Sequence, residues 1–328
     1  MSPLRSKIAG TGSYVPLKVV SNRDLEGLVD TTDEWITTRT GIKERRVAAG
    51  ESTSDVAVKA ARKALKAAGV AARELDLIVV GTVTPEMVFP STACFVQAKI
   101  GARAGIPAFD LSAACSGFLY ALDAADKYVK AGEVKKVLVI GVDLFSRIVD
   151  WKDRSTCVLF GDGAGAVVLK AASGEHGILS SHIHSDGRQW EMLYTPGNIS
   201  TLNPFEKKGH PKQPFLRMKG NETFKVAVRT MGQAAKEALE RNGLTVEDIA
   251  LFIPHQANTR IIKAIKERLK LTDEQLFSNI EKYGNTSAGS IPLALDEAVR
   301  AKRIRDGDIV LFVAFGGGFT WASGVVRW

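Results

Sequence analysis

Apolar runs and helical periodicities alternate along this chain, and they do so twice. LDLIVVG at 75–81, VLVIGV at 137–142, IALFIPH at 249–255 and IVLFVAF at 309–315 are short continuous apolar runs that read as buried strands. ARKALKAAGV at 61–70 and AKEALERNGL at 235–244 are helical stretches that stop at a glycine, Gly69 or Gly243, the usual residue just past a helix C-terminus. The offset between these two helices is the same as that between the strands at 75–81 and 249–255. AACSGFLYALDAA at 113–125 returns as TSAGSIPLALDEA at 286–298, and VLVIGV returns as VLFVAF at 310–315, both at almost that offset. Finally, GAVVL at 165–169 faces SGVVR at 323–327. Residue by residue the match is weak, but the order and near-constant offset predict one unit written twice: helix, strand, turn plus helix, strand, strand. Strands alternating with helices predict a layered α/β fold, with halves 1–174 and 175–328 meeting near Gly174.

Two segments fall outside the repeat. One is VVSNRDLEGLVDTTDEWITTRTGIKERRV at 19–47. The other spans 181–219, is rich in Gly, Pro, Asn and Lys, and is too long for a simple connector; it is expected to be a functional insertion over a site.

A length of 328 residues fits two units of ordinary size and needs no disulfide or metal to stabilise its core. The 44 Lys and Arg against 36 Asp and Glu leave a formal charge of +8, which points to an acidic partner. Nucleic acid is not the expected one, because no aromatic-interleaved basic stripe or helix-turn-helix pattern accompanies the charge. Three cysteines without a CxxC pair argue against a secreted disulfide framework and a structural zinc site. His182 and His184 have no evident third ligand, so no metal is expected there. MSPLRSKIAGTGSYVP lacks the apolar core of a secretory signal, and the apolar runs fall far short of a membrane span. A soluble cytoplasmic protein is expected.

Few residues can carry chemistry. Cys115 stands at the start of a helix patterned by Phe118, Leu122, Ala125 and Val129 and ended by Gly132. Exposed N–H groups and the helix dipole there favour a thiolate, and small neighbours admit a substrate, so Cys115 is either a nucleophile or a buried structural cysteine. Cys94 and Cys157 lack this setting and read as structural. His255 follows the strand at 249–253 and lies where α/β folds place sites, or else caps the next helix. Asn285 precedes the helix equivalent to that of Cys115, as a site residue or as a cap. The repeat brings these turns toward one axis. The glycine clusters at 160–169 and 315–328 lead into strands rather than helices, which removes a dinucleotide reading. The second cluster is suited to aiming backbone N–H groups at a substrate oxygen.

CSG at a helix start, PHQAN after a strand, GNTSA before a helix and a terminal GGG strand pair occur in that order. With SNRDLE at 21–26, DEWITTRTGIKERR at 33–46 and FPSTAC at 89–94, the chain resembles the β-ketoacyl-acyl carrier protein synthase III family over essentially its whole length. The resemblance implies a thiolase-like fold of α-β-α-β-α layers. It also implies an acyltransferase that loads an acyl group from acyl-CoA, expected to be acetyl-CoA, and condenses it with malonyl-acyl carrier protein. It implies Cys115 as the acylated nucleophile, with His255 and Asn285 serving decarboxylation. The backbone of Cys115 and Gly317 would form an oxyanion hole. Trp35 and Arg154 would hold the adenine end of coenzyme A, and Gly220 and Asn258 its pantetheine arm. Lys225, Arg260 and Lys263 would dock the carrier protein, and Phe89 would reach into a partner subunit of a homodimer. No cofactor is implied, since coenzyme A enters as part of the substrate. Two departures stand out: a long segment after the SDG turn that contains Trp190, and Glu267 on an otherwise basic docking face shared with Arg260, Lys263 and Lys270. The long segment leaves room for a specialised condensing or acyl-transfer enzyme of a secondary, polyketide-like pathway.

Overall fold

The computed structural model describes residues 4–196 and 215–328. Two mixed sheets carry the fold. The first runs in the order Leu4–Tyr14, Asp162–Ser173, Lys136–Leu144, Leu77–Gly81, Ala108–Leu111. The second runs Gly177–Ser185, Thr320–Arg327, Ile309–Gly316, Ile249–Pro254. Position by position the two sheets agree: an antiparallel edge strand, a second antiparallel pairing, then a parallel one. Ala108–Leu111 has as its counterpart a parallel bridge between Phe252 and Leu276.

This corrects one expectation. The start of the 181–219 segment is not an insertion, because Gly177–Ser185 is the counterpart of the N-terminal strand. Both are edge strands, buried on only part of their surface, so neither carries the continuous apolar run that marks the central strands. Gly174, at φ +116, turns the chain between the last strand of one sheet and the first of the other.

The layers follow from which faces are apolar. The helices Gly117–Lys130 and Ser290–Arg300 lie between the sheets, where Phe118, Leu122, Ile291 and Leu295 pack with Val79, Val137, Leu251 and Phe312. Thr53–Ala68 covers the outer face of the first sheet, and Gly220–Arg241 with Thr259–Leu269 covers that of the second. Both faces of the central strands are therefore out of water, which is why they read as unbroken Val, Ile and Leu. Thr53–Ala68 starts with a capping box between Ser52 and Asp55. The glycines expected as helix stops, Gly69 and Gly243, both adopt the left-handed backbone, at φ +59 and +62.

Two carboxylates bind the halves together in a reciprocal way. Asp296, on a central helix, accepts from Thr11 Oγ1 at 2.8 Å and Ser13 Oγ at 2.6 Å on the edge strand of the first sheet. Asp123, its counterpart on the other central helix, accepts from Ser181 Oγ at 2.5 Å on the edge strand of the second. Each half thus anchors its helix in the other half's sheet.

Close packing also fixes one glycine. A Cβ on Gly141 would lie 2.1 Å from the carbonyl oxygen of Ala288, in the turn after Asn285. Gly141→Ala is expected to destabilise the fold by about 1–3 kcal/mol. Urea unfolding measures this, and an unchanged midpoint would contradict the packing described. Among the described residues no helix is long and apolar enough to cross a membrane.

Candidate active site

Cys115 sits in a short 3-10 turn, Ala114–Ser116, that feeds the helix Gly117–Lys130. The preceding residue, Ala114, has φ +45, and its counterpart in the second half, Ser287, has φ +50 before the equivalent helix. Both turns are held in the sparsely populated left-handed region, a cost of order 1–3 kcal/mol each that persists because the surroundings over-determine it. For Cys115 those surroundings belong to the second half. Ser116 Oγ donates to Thr320 O at 3.1 Å, and Thr320 Oγ1 donates to Ala113 O at 2.8 Å. Gly316 lies so close that a Cβ there would approach Cys115 N to 2.6 Å.

The helix start does not leave a thiolate at rest. Burial pushes the Cys115 thiol up to about 12, the hydrogen bond from Ser287 opposes that, and the charge of Asp143 adds to it. A helix terminus is worth about 1 kcal/mol, too little to offset such desolvation. Burial thus favours the thiol of Cys115 over its thiolate.

His255 follows the strand Ile249–Pro254 and is buried. Its backbone N–H donates to Val313 O at 2.8 Å, and its Nδ1 lies 2.6 Å from Ser290 Oγ. Gln256 N–H donates to the same Oγ at 3.4 Å, and with the Ser290 hydroxyl donating to Nδ1 the imidazole proton sits on Nε2. Burial lowers the ring's pKa to about 3, so it is neutral at physiological pH. Asn285 is held by backbone bonds to Leu159 O and Gly161 N–H, beside Phe160. Its Oδ1 accepts Ser287 N–H at 2.8 Å, which leaves the Nδ2 amide as the free donor end.

Cys115, His255 and Asn285 line one cavity of about 1190 Å³. Gly317, Trp35, Gly220, Asn258, Arg260 and Phe89 line it as well. A thiol, an imidazole and a side-chain amide at the end of a long partly apolar approach form a set suited to acyl transfer and to stabilising an oxyanion or enolate.

Other expected residues fall less simply. Arg154 is not in the cavity wall; it stacks on Trp35 with its guanidinium 4.7 Å from the ring centroid. Arg39, which no sequence pattern singled out, stacks on the same ring at 4.7 Å and does line the cavity. Asn258 lines the cavity but caps the helix Thr259–Leu269, its Oδ1 accepting Arg260 N–H at 2.8 Å. Lys225 and Lys263 are exposed and outside the cavity wall. Lys270 leaves the expected docking face, because the helix ends at Leu269 and Lys270 turns left-handed at φ +59. Trp190 also stands outside the wall, packed edge-on against Tyr194. The described ends of the 181–219 segment do reach the site: Leu193, Tyr194, Leu216 and Met218 line the cavity. The rest, 197–214, lies outside the described residues. Cys157 is buried in a small core with Leu25 and Ile36, and Cys94 accepts a hydrogen bond from Ser91 Oγ.

Two duplicated α/β layers around a buried cysteine at their junction define a thiolase-like condensing enzyme. The model described as 3-oxoacyl-[acyl-carrier-protein (ACP)] synthase III matches residues 109–187, and that of its C-terminal part matches 239–328. The chain is 54% identical over 324 residues to β-ketoacyl-[acyl-carrier-protein] synthase III of Xanthomonas campestris pv. campestris, with 98% of each chain covered. It superposes on the crystal structure of 3-oxoacyl-[acyl-carrier-protein] synthase III from Aquifex aeolicus VF5 with a TM-score of 0.92 and 51% identity, covering 98% of this chain and 100% of that one. The priming β-ketosynthase from the R1128 polyketide biosynthetic pathway gives a TM-score of 0.90 at 38% identity, with 99% and 97% covered. The chain belongs to the 3-oxoacyl-[acyl-carrier-protein] synthase III family; it is an acyltransferase, the initiating condensing enzyme of type II fatty acid synthesis.

Proposed function

We propose that the enzyme takes a short straight acyl group, acetyl first among them, from acyl-CoA onto Cys115 and condenses it with malonyl-acyl carrier protein. The observation that carries this reading is the cavity that Cys115, His255 and Asn285 share. The thiolate attacks the thioester carbonyl, with the backbone N–H groups of Cys115 and Gly317 receiving the oxyanion, and coenzyme A leaves as its thiol. Malonyl-carrier protein then enters and loses CO₂. The enolate oxygen is met by His255 Nε2–H and the Asn285 amide, neutral donors that need not be deprotonated first. The carbanion attacks the acyl-cysteine and releases a 3-oxoacyl thioester.

Outer roles follow from position. Trp35, flanked by Arg39 and Arg154, offers a ring and two cations to the nucleotide end of coenzyme A. Gly220 and Asn258 border the pantetheine arm. Arg260, at the mouth over Phe224, with Lys263 and Lys225, faces the acidic carrier protein. Met87, Val88 and Phe89 form an exposed apolar tip, Phe89 being 82% exposed, that supports a homodimer in which a second copy covers it. We assign the halves 1–174 and 175–328 as the two structural units and the cytoplasm as the compartment.

The primer reading rests on an aromatic wall. Phe145 stacks on Phe160 at 4.7 Å between centroids, Phe160 bridges to Asn285, and both rings line the cavity with Leu216. Phe145→Leu is expected to raise hexanoyl loading relative to acetyl by about 10-fold or more, since one methylene in a pocket is worth about 1–3 kcal/mol. Intact-protein mass spectrometry over a series of acyl-CoA lengths reads this directly. A wild-type enzyme that prefers long chains, or an unchanged profile in the variant, would remove the short-primer assignment.

A further inference from the structure

Behind Asn285 lies a buried cation that the condensation chemistry above does not use. Arg45 belongs to the short strand Glu44–Val47 and is completely buried. Its fork closes on uncharged acceptors. Nη1 donates to Asn22 Oδ1 at 2.9 Å and Val20 O at 3.2 Å, and Nη2 donates to Val158 O at 2.9 Å. Nε has no partner, and among the described residues no carboxylate hydrogen-bonds to the side chain. Burial draws the guanidinium down to about 10, so it is still charged at physiological pH. A buried charge without a bonded counter-ion is costly, and packing alone would be served better by an apolar side chain.

What this arginine braces is the turn of Asn285. Its stem runs beside two glycines: a Cβ on Gly161 would lie 3.1 Å from Arg45 Cβ, and a Cβ on Gly284 would lie 3.6 Å from it. Gly284 is the residue before Asn285, and Gly161 N–H donates to Asn285 O at 3.0 Å. Asn285 N–H donates to Leu159 O at 2.8 Å, next to the Val158 carbonyl that the fork holds. The strap 158–161 that makes both backbone bonds to Asn285 is therefore fixed at one end by the guanidinium and at the other by the stem. On the far side the fork is anchored by Asn22, whose Nδ2 donates to Ile42 O at 2.7 Å and Asp33 Oδ1 at 2.8 Å.

We propose that Arg45 is a positioning residue for decarboxylation: it fixes the 158–161 strap and Gly284, and through them aims the Asn285 amide at the enolate oxygen. Arg45 itself touches no substrate. A planar fork is what the place requires, since it bonds Asn22 on one side and Val158 on the other at once. A lysine is a point donor and cannot span both. An apolar chain of the same length fills the volume but leaves Val158 O without this donor. A shift of about 1 Å in a group that meets the transition state can cost about 10²-fold in rate, even when its cause lies away from the chemistry.

The inference rests on Asn285 serving decarboxylation, and a double-mutant cycle separates the two ideas. Arg45→Met keeps the volume and Arg45→Lys keeps the cation; each is made alone and together with Asn285→Ala. Thermal unfolding identifies the folded variants, and Arg45→Lys, the milder change, carries the test alone should Arg45→Met not fold. Each enzyme is pre-acetylated on Cys115, and CO₂ release is followed over a range of malonyl-carrier protein concentrations. That substrate brings no nucleotide, so a change around Trp35 does not enter the measurement. The Arg45 variants are expected to lose about 10–10²-fold in kcat, with KM within about two-fold of wild type. On the Asn285→Ala background the same substitutions should cost less than about two-fold, because the group they position is gone. Wild-type kcat in the Arg45 variants, a loss confined to KM, or the same fold-loss with and without Asn285 would overturn the positioning role. Normal CO₂ release by Asn285→Ala alone would overturn the reading on which it rests.

Discussion

Replacing Cys115 by alanine leaves a folded chain that gains no acyl group from acetyl-CoA. The side chain is small and its turn is held by hydrogen bonds between Thr320 and Ala113 and Ser116 and by the close approach of Gly316, so truncation removes the sulfur and little packing. Loss of a covalent nucleophile costs on the order of 10⁶ in turnover, with residual rate from binding and the oxyanion hole. Intact-protein mass spectrometry after incubation with acetyl-CoA shows the wild type one acetyl heavier and the variant unshifted, while thermal unfolding stays near that of wild type. Cys94 and Cys157 remain in the variant as internal controls, the one bonded to Ser91 and the other in a closed core. Acetylation that persists in Cys115→Ala would place the nucleophile elsewhere.

His255→Ala and Asn285→Ala are expected to load acetyl at close to the normal rate and to lose decarboxylation of malonyl-carrier protein. Each removes one donor to the enolate oxygen, which is worth about 10²–10³ in rate. Both are proposed to act as neutral donors, so the expected pH dependence is specific. The folded ring titrates near 3, well below its ordinary 6.5. Release of CO₂ should therefore show no limb from His255 between about pH 5 and 8, where an exposed imidazole would titrate. Stability behaves differently: the unfolded chain takes up a proton at this position below about 6.5 while the folded chain does so only near 3, so the contribution from His255 is lost as pH falls through that window. A loss of CO₂ release centred near 6.5 that vanished in His255→Gln would mean that the histidine works as a titrating base.

The repeat was legible because it was written in features that local physics enforces. Glycines past helix ends, and Val, Ile and Leu runs in strands covered on both faces, recur at a near-constant offset and belong to two sheets whose first four strands agree in order and direction. The edge strands Leu4–Tyr14 and Gly177–Ser185 escaped because partial burial mixes polar with apolar residues. Cys115, His255 and Asn285 stood out because each sits at a strand end or helix start beside small residues, and the motifs around them form an ordered set. Their supports did not stand out. Ser287, Ser290 and Asp143 act on partners far away in the chain, and a serine or aspartate carries no periodicity that marks such a contact. Asp123 and Asp296 were visible as repeated letters, but their partners on the opposite sheet were not. Arg39 lay in a helix of mixed polarity, where nothing but the stacking on Trp35 distinguishes it.

The division of labour in the site is tested most directly in one vessel. Wild-type and Asn285→Ala enzymes are each pre-acetylated on Cys115 and then mixed with malonyl-carrier protein labelled at the free carboxyl. Acyl-enzyme mass and labelled CO₂ are read from the same quenched samples. The wild type should lose its acetyl mass and release CO₂ together, whereas Asn285→Ala should keep its acetyl mass and release CO₂ about 10²–10³ times more slowly. Normal CO₂ release by Asn285→Ala would contradict the assignment of Asn285 to decarboxylation and with it the division of labour between Cys115 and the donor pair.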